Sequence, residues 1–166
     1  GGLMTKFMEL RYGVPMVSVS VTHPLIEELV SELKNEKRKF SFLCSHDCIV
    51  YMALNALGVV PYTLPDSIET KTPIGVKILF ERWRDREGKA WYRAELVYRS
   101  TEQIRESSVL TLDNPPKKYN LSFEGVATNE DGMISEADFF GIFDRTLAEY
   151  DNLVNEYTEK KLDTAA

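Results

Sequence analysis

Phe40-Ser41-Phe42-Leu43-Cys44, then Ser45-His46-Asp47, then Cys48-Ile49-Val50-Tyr51-Met52-Ala53-Leu54-Asn55-Ala56-Leu57-Gly58 is the stretch that decides the fold. Its first five residues form a short apolar run behind a polar linker, which predicts a buried strand. From Ile49 to Leu57 the chain is apolar on most sides and stops at a glycine, which predicts a buried helix. Asp47 stands where an N-cap belongs. Strand, three polar residues and helix form one α/β unit. In α/β sheets ligands bind outside the carboxyl ends of the strands. A helix N-terminus at that place offers free N–H groups and a positive dipole end, which suits an anion such as phosphate. His46 can donate a hydrogen bond to an oxyanion. Asp47 can give or take a proton. The plainer alternative is that Asp47 only caps its helix and His46 only ends a strand.

Outward from this unit the chain alternates element types. Residues 3–11 predict the end of a helix, closed by Gly13 and Pro15. Residues 16–21 alternate apolar residues with serine and predict a strand. Thr22-His23-Pro24 reads as a helix start, and the apolar face Leu25, Ile26, Leu29, Val30, Leu33 predicts an amphipathic helix over 23–34. After a proline-rich connection over 59–75, residues 76–83 and 91–98 predict a hairpin whose turn contains Asp85 and Gly88. A short helix is expected over 101–106 and a third strand over 119–124. Ser135 with Asp138 resembles a capping box at the head of a long helix through Tyr157. The tail over 159–166 is expected to fray.

Composition narrows the function classes. The 166 residues carry a net charge of -6, with 43% hydrophobic and 28% charged residues. That describes a globular chain without the basic stripe of a nucleic-acid binder. Lys37-Arg38-Lys39 reads as a solvated loop. No apolar run reaches the ~20 residues that span a membrane, and the opening Gly1-Gly2-Leu3-Met4 reads as a cut beginning without a signal peptide. A zinc site from Cys44, His46 and Cys48 would need the strand to continue to Cys48. With a helix starting near Asp47 the three share no face, and two buried free thiols are expected instead. Asn129 to Asp138 resembles the later part of a calcium loop. It has Ala127 where the first ligand belongs and too few oxygens, so an Asp-Gly turn is expected there. No metal and no cofactor is expected.

Several blocks resemble the histidine acid phosphatases, especially the bacterial glucose-1-phosphatase and phytase group. They are Ser45-His46-Asp47 between its apolar flanks, and Thr72-Pro73-Ile74-Gly75 running on to Phe80-Glu81-Arg82-Trp83. Leu96 to Arg105 and Leu110-Thr111-Leu112 before Pro115-Pro116 follow in order. The resemblance covers roughly residues 22 to 150. It implies part of a three-layer α/β/α fold with a mixed sheet, incomplete without an N-terminal half. On it, residues 1–21 are a remnant of a helical insertion or a linker. Residues 22–158 are the C-terminal part of the α/β domain, and 159–166 are the tail. It further implies metal-free hydrolysis of small phosphomonoesters in the periplasm or outside the cell. A histidine in an Arg-His-Gly motif is the nucleophile, His46 a phosphate ligand and Asp47 the proton donor to the leaving alcohol. Arg-His-Gly does not occur in these residues; Arg11-Tyr12-Gly13 matches by spelling only. Ser45 and Cys48-Ile49 stand where the family commonly has Gly before His-Asp and Thr-Asn or Ser-Asn after it. The chain alone is therefore expected to be inactive. Its partner is expected to be the N-terminal half of the same protein, and an exposed sheet edge would favour self-association. The competing reading is a non-catalytic interaction domain on the same scaffold.

Overall fold

Ala90, Tyr92, Ala94, Leu96 and Tyr98 alternate along one strand and are all buried, which sets the face on which the core is built. The structure, a computed structural model, describes residues 2–163. The elements are α1 (Gly2–Tyr12), α2 (Pro15–Lys34), α3 (Asp47–Ala56), β1 (Lys77–Arg84), β2 (Ala90–Tyr98), α4 (Thr101–Arg105), β3 (Lys117–Asn120), β4 (Ile134–Ser135) and α5 (Glu136–Asp163). The α/β class holds. Strands run in the order β1-β2-β3, β4 also pairs with β2, and every pairing is antiparallel.

The expected β1–β2 hairpin forms, with Lys77 opposite Val97 at one end and Arg84 opposite Ala90 at the other. Gly88, at φ +83, supplies the left-handed turn residue. Ile26 of α2, Leu54 of α3 and Phe139, Ile142 and Phe143 of α5 meet the inward face of β2. Phe139 stacks on Tyr92 with ring centroids 4.2 Å apart and meets Phe80 edge-on at 5.7 Å. The opposite face of β2 carries Trp91, Arg93, Glu95 and Val97. Glu95 is buried there, with its carboxylate accepting from Lys118 Nζ at 2.9 Å.

Residues 16–21 are helix rather than the expected strand. Pro15 stands at the first helical position behind an extended Val14, where a missing N–H costs nothing. Of the two serines in that alternation Ser18 bonds inside the helix, as does Thr22 just after it. Ser18 donates to the Pro15 carbonyl at 3.1 Å and Thr22 to the Ser18 carbonyl at 2.7 Å. The buried positions Ser18, Val19, Thr22 and Ile26 fall at helical spacing. Six residues of alternation are too few to separate the two periods, and Pro24, read as a start, lies inside the helix. Helix α2 also runs unbroken past residue 21, where the domain boundary was expected. His23, in mid-helix, stacks on Tyr150 of α5 at 3.7 Å.

Three smaller departures have local causes. Leu121 and Phe123 are buried, but the third strand, expected over 119–124, spans Lys117–Asn120. The chain then leaves to bond residues 58–60, with Val60 N donating to Ser122 O at 2.9 Å. Strand β4 is too short to leave a periodic signal. Helix α5 continues through Glu159 to Asp163 instead of fraying, and Lys160 Nζ donates to Glu156 one turn back at 2.5 Å; residues 164–166 lie outside the described residues. The Ser135–Asp138 cap forms as expected, with Asp138 N donating to Ser135 Oγ at 3.2 Å.

Candidate active site

Helix α3 is the platform of the candidate site. Tyr51, Met52, Ala53, Leu54 and Ala56 bury its inner face. Gly58, at φ +70, ends it, with Gly58 N and Val59 N donating to the carbonyls of Asn55 and Leu54. The Ala56 carbonyl, one of the last-turn acceptors with no intrahelical donor, accepts from the buried Thr146 hydroxyl of α5 at 2.9 Å. The C-terminal end of α3 is thereby pinned to the core, and its N-terminal end projects outward.

His46 and Asp47 stand side by side at that outer end, and both are exposed. His46, not Asp47, occupies the cap position, with extended backbone at φ -106, ψ 158 and no capping hydrogen bond from its side chain. Its carbonyl accepts the first helical bond, from Val50 N at 2.9 Å. Asp47 is the first helical residue, and its Oδ1 accepts from Cys48 N at 2.8 Å. A carboxylate in the first turn is favoured by the helix dipole, so the sequence builds this end without strain. An imidazole, a carboxylate and outward amide groups thus share one helix terminus, an arrangement able to bind an oxyanion and transfer a proton.

The run leading into this end is not the buried strand its composition suggests. Residues 40–45 belong to no strand, and no backbone hydrogen bond joins them to another element among the described residues. Phe40 is 77% and Phe42 66% exposed. Extended backbone becomes a strand only when a neighbour takes its N–H and C=O groups. Cys44 is exposed as well, so the expectation of two buried thiols fails at that position. Upstream, side chains do the holding. Glu32 accepts from Arg38 Nη1 at 3.1 Å and from the Ser41 hydroxyl, and Glu36 Oε1 accepts from Arg82 and Arg84 Nη2 at 3.1 and 3.4 Å.

Among the described residues no cluster of His, Cys, Asp and Glu could hold a metal ion. In the calcium-like loop, Asn129 Oδ1 accepts from Asp131 N and Met133 N at 3.1 and 2.8 Å, the bonding of a turn. Arg11 lies on α1, its guanidinium over the Phe7 and Tyr12 rings, far from any strand-loop setting. Two cavities lie away from His46 and Asp47. One of about 740 Å³ is lined by Asp66, Ser100, Thr101, Arg105 and Lys117, and one of about 180 Å³ by Glu9, Tyr51, Asn55, Tyr62 and Lys71. Burial pushes the Tyr51 and Tyr62 phenols up, so both stay neutral. No helix among the described residues is long and apolar enough to cross a membrane. The pairing of Glu36 with Arg82 and Arg84 left no sign in the sequence, because those partners lie up to 48 positions away.

The chain is similar in sequence to bacterial glucose-1-phosphatases and to a phytase, and matches a portion of each. It is 31% identical over 150 residues to the glucose-1-phosphatase of Providencia rettgeri, covering 87% of this chain and 36% of that protein. It is 33% identical over 100 residues to phytase AppA of Escherichia coli strain K12, covering 59% of this chain and 23% of that protein. The phytase structure from Citrobacter braakii superposes with a TM-score of 0.77 at 22% identity, over 87% of this chain and 39% of that one. The chain therefore spans about a third of the length of the curated relatives it matches. No protein-family model matches it.

Proposed function

We propose that the chain is the C-terminal portion of a periplasmic or secreted acid phosphatase acting on small phosphomonoesters. His46 binds the phosphate and Asp47 protonates the leaving alcohol. The observation that carries this reading is the pair itself: His46 and Asp47 exposed together at the N-terminus of α3, at the end of an apolar run that lacks a sheet partner. The coverage of the relatives supports placing the missing partner in the rest of the protein. The strand that pairs with 40–44 and the nucleophilic histidine lie in that part.

The chemistry follows from the placement. The nucleophilic imidazole attacks phosphorus as the ester P–O bond breaks, and the Asp47 proton passes to the departing oxygen. Water then attacks the phosphohistidine, with the Asp47 carboxylate taking its proton. His46 donates to a phosphate oxygen throughout, aided by the helix terminus. One histidine and one carboxylate cannot supply covalent catalysis by themselves, so this chain alone is inactive. Alone, its unpaired apolar run favours self-association.

The test compares the isolated chain with the full-length protein. Vanadate-sensitive hydrolysis of p-nitrophenyl phosphate is expected from the full-length protein only. In the full-length protein, Asp47→Asn lowers turnover of an alkyl phosphate by a factor of about 10² to 10⁴, the range of general acid catalysis. It affects p-nitrophenyl phosphate less, because that leaving group needs no proton. A full-length protein with no phosphatase activity would favour the interaction-domain reading, towards which Ser45 and Cys48 lean.

A further inference from the structure

The segment between α4 and β3 turns its polar groups inward. Ser107, in the left-handed region at φ 50, ends α4. Ser108 N then donates to Gln103 O at 3.0 Å, and Asn114 Nδ2 donates to Val109 O at 3.2 Å. Thr111 N donates to Asn114 O and Asn114 N to Thr111 Oγ1, each at 3.1 Å, which closes a small ring. The buried Gln103 amide donates to Asn114 Oδ1 at 2.8 Å and to Pro115 O at 2.9 Å, which ties that ring to the capping box of α4. The side chains left facing water are apolar: Leu112 is 99%, Val109 78% and Leu110 40% exposed. A loop whose only neighbour is water ordinarily has polar side chains outside. Three apolar side chains within four positions, on a segment fixed from behind, form a surface built for contact.

We propose that Val109, Leu110 and Leu112 form an apolar ridge that seats in an apolar pocket of the full-length protein outside these 166 residues. This rests on the reading of the chain as a portion of a longer protein. The curated relatives leave room for that occupant, since the chain covers only 36% and 32% of the two glucose-1-phosphatases. A second copy is the poorer occupant, because each copy carries a net charge of -6 and like charge opposes association. With the Val109 carbonyl and the Thr111 N–H already bonded, side chains rather than backbone make the contact. Because the ridge is already ordered, little conformational freedom is lost when it docks.

The experiment measures thiol reactivity in the full-length protein. Leu112→Cys and, as a milder second variant, Val109→Cys place a thiol on the ridge. Glu87→Cys places one on the exposed β1–β2 turn as the reference. Alkylation by iodoacetamide is followed peptide by peptide by mass spectrometry, and each native rate is divided by the rate of the same thiol in urea. Alkylation needs access to the sulfur, so the ridge thiols are expected to be slowed by a factor of about 10 or more relative to Glu87→Cys. The slowing should persist on dilution, because contact within one chain does not depend on concentration and contact between copies does. Ridge thiols that react as fast as the reference overturn the inference. So does protection that disappears on dilution, which assigns the ridge to a second copy. The readout requires no catalysis. Slow thiols in a protein without phosphatase activity leave the ridge in place and sink only the function proposed above; fast thiols in an active phosphatase do the reverse.

Discussion

Replacing Thr146 by Val tests how the site platform is anchored. Thr146 is buried on α5 and its hydroxyl lies 2.9 Å from the Ala56 carbonyl and 3.0 Å from the Ile142 carbonyl. One hydroxyl proton serves one acceptor at a time. Ile142 O lies within α5, where the helix's own N–H groups supply a donor. Ala56 O lies in the last turn of α3, where none is available. The hydroxyl therefore matters to Ala56. Valine keeps the shape and removes the donor, which leaves a buried carbonyl unpaired at a cost of about 1–3 kcal/mol. For a chain of this size each kcal/mol moves the melting temperature by about 2–4 °C, so a cost of about 2 kcal/mol lowers Tm by ~4–8 °C. Thr146→Ser retains the hydroxyl and should lose less. The measurement is thermal unfolding followed by circular dichroism on wild type and both variants. A Thr146→Val protein that melts with wild type, or a serine variant that melts below it, refutes the claim that this hydroxyl anchors the helix carrying His46 and Asp47.

Two further outcomes follow from the core and the sheet. Phe139→Ala empties the centre of the Tyr92, Phe80, Phe140 and Phe143 cluster; it should cost about 3–5 kcal/mol, read in urea unfolding, and a cost under ~1 kcal/mol would show that α5 does not pack on the sheet as described. The hydrogen bond to Glu95 raises the Lys118 pKa, and a lysine whose folded value exceeds its unfolded ~10.4 contributes stability below that pH and loses it as pH rises through the folded value. The stability gap between wild type and Lys118→Met should thus be widest below about pH 10 and narrow above it, and a gap that stays constant from pH 9 to 12 would refute the pairing.

Elements whose signal is local were legible in the sequence. The β1–β2 hairpin was readable because two arms rich in apolar and β-branched residues flank a turn with Asp85 and Gly88. Helix α3 was readable from its apolar run and its Gly58 stop. His46 and Asp47 were singled out because adjacency in sequence at a helix start already places them together. The segment over 16–21 misled because its serines mimic strand alternation, while the Ser18 hydroxyl bonds within a helix.

What the sequence determined by itself is the set of short-range choices: which residues turn, which face of each helix and strand is apolar, and which two polar side chains share the start of α3. These depend on neighbours a few positions apart. Tertiary structure alone decided that Phe40 to Cys44 joins no sheet, that Glu36 pairs with Arg82 and Arg84, and that Thr146 closes the far end of α3. A strand exists only if a distant segment takes its hydrogen bonds, and an ion pair only if folding brings its partner near. Neither condition is written in local spacing.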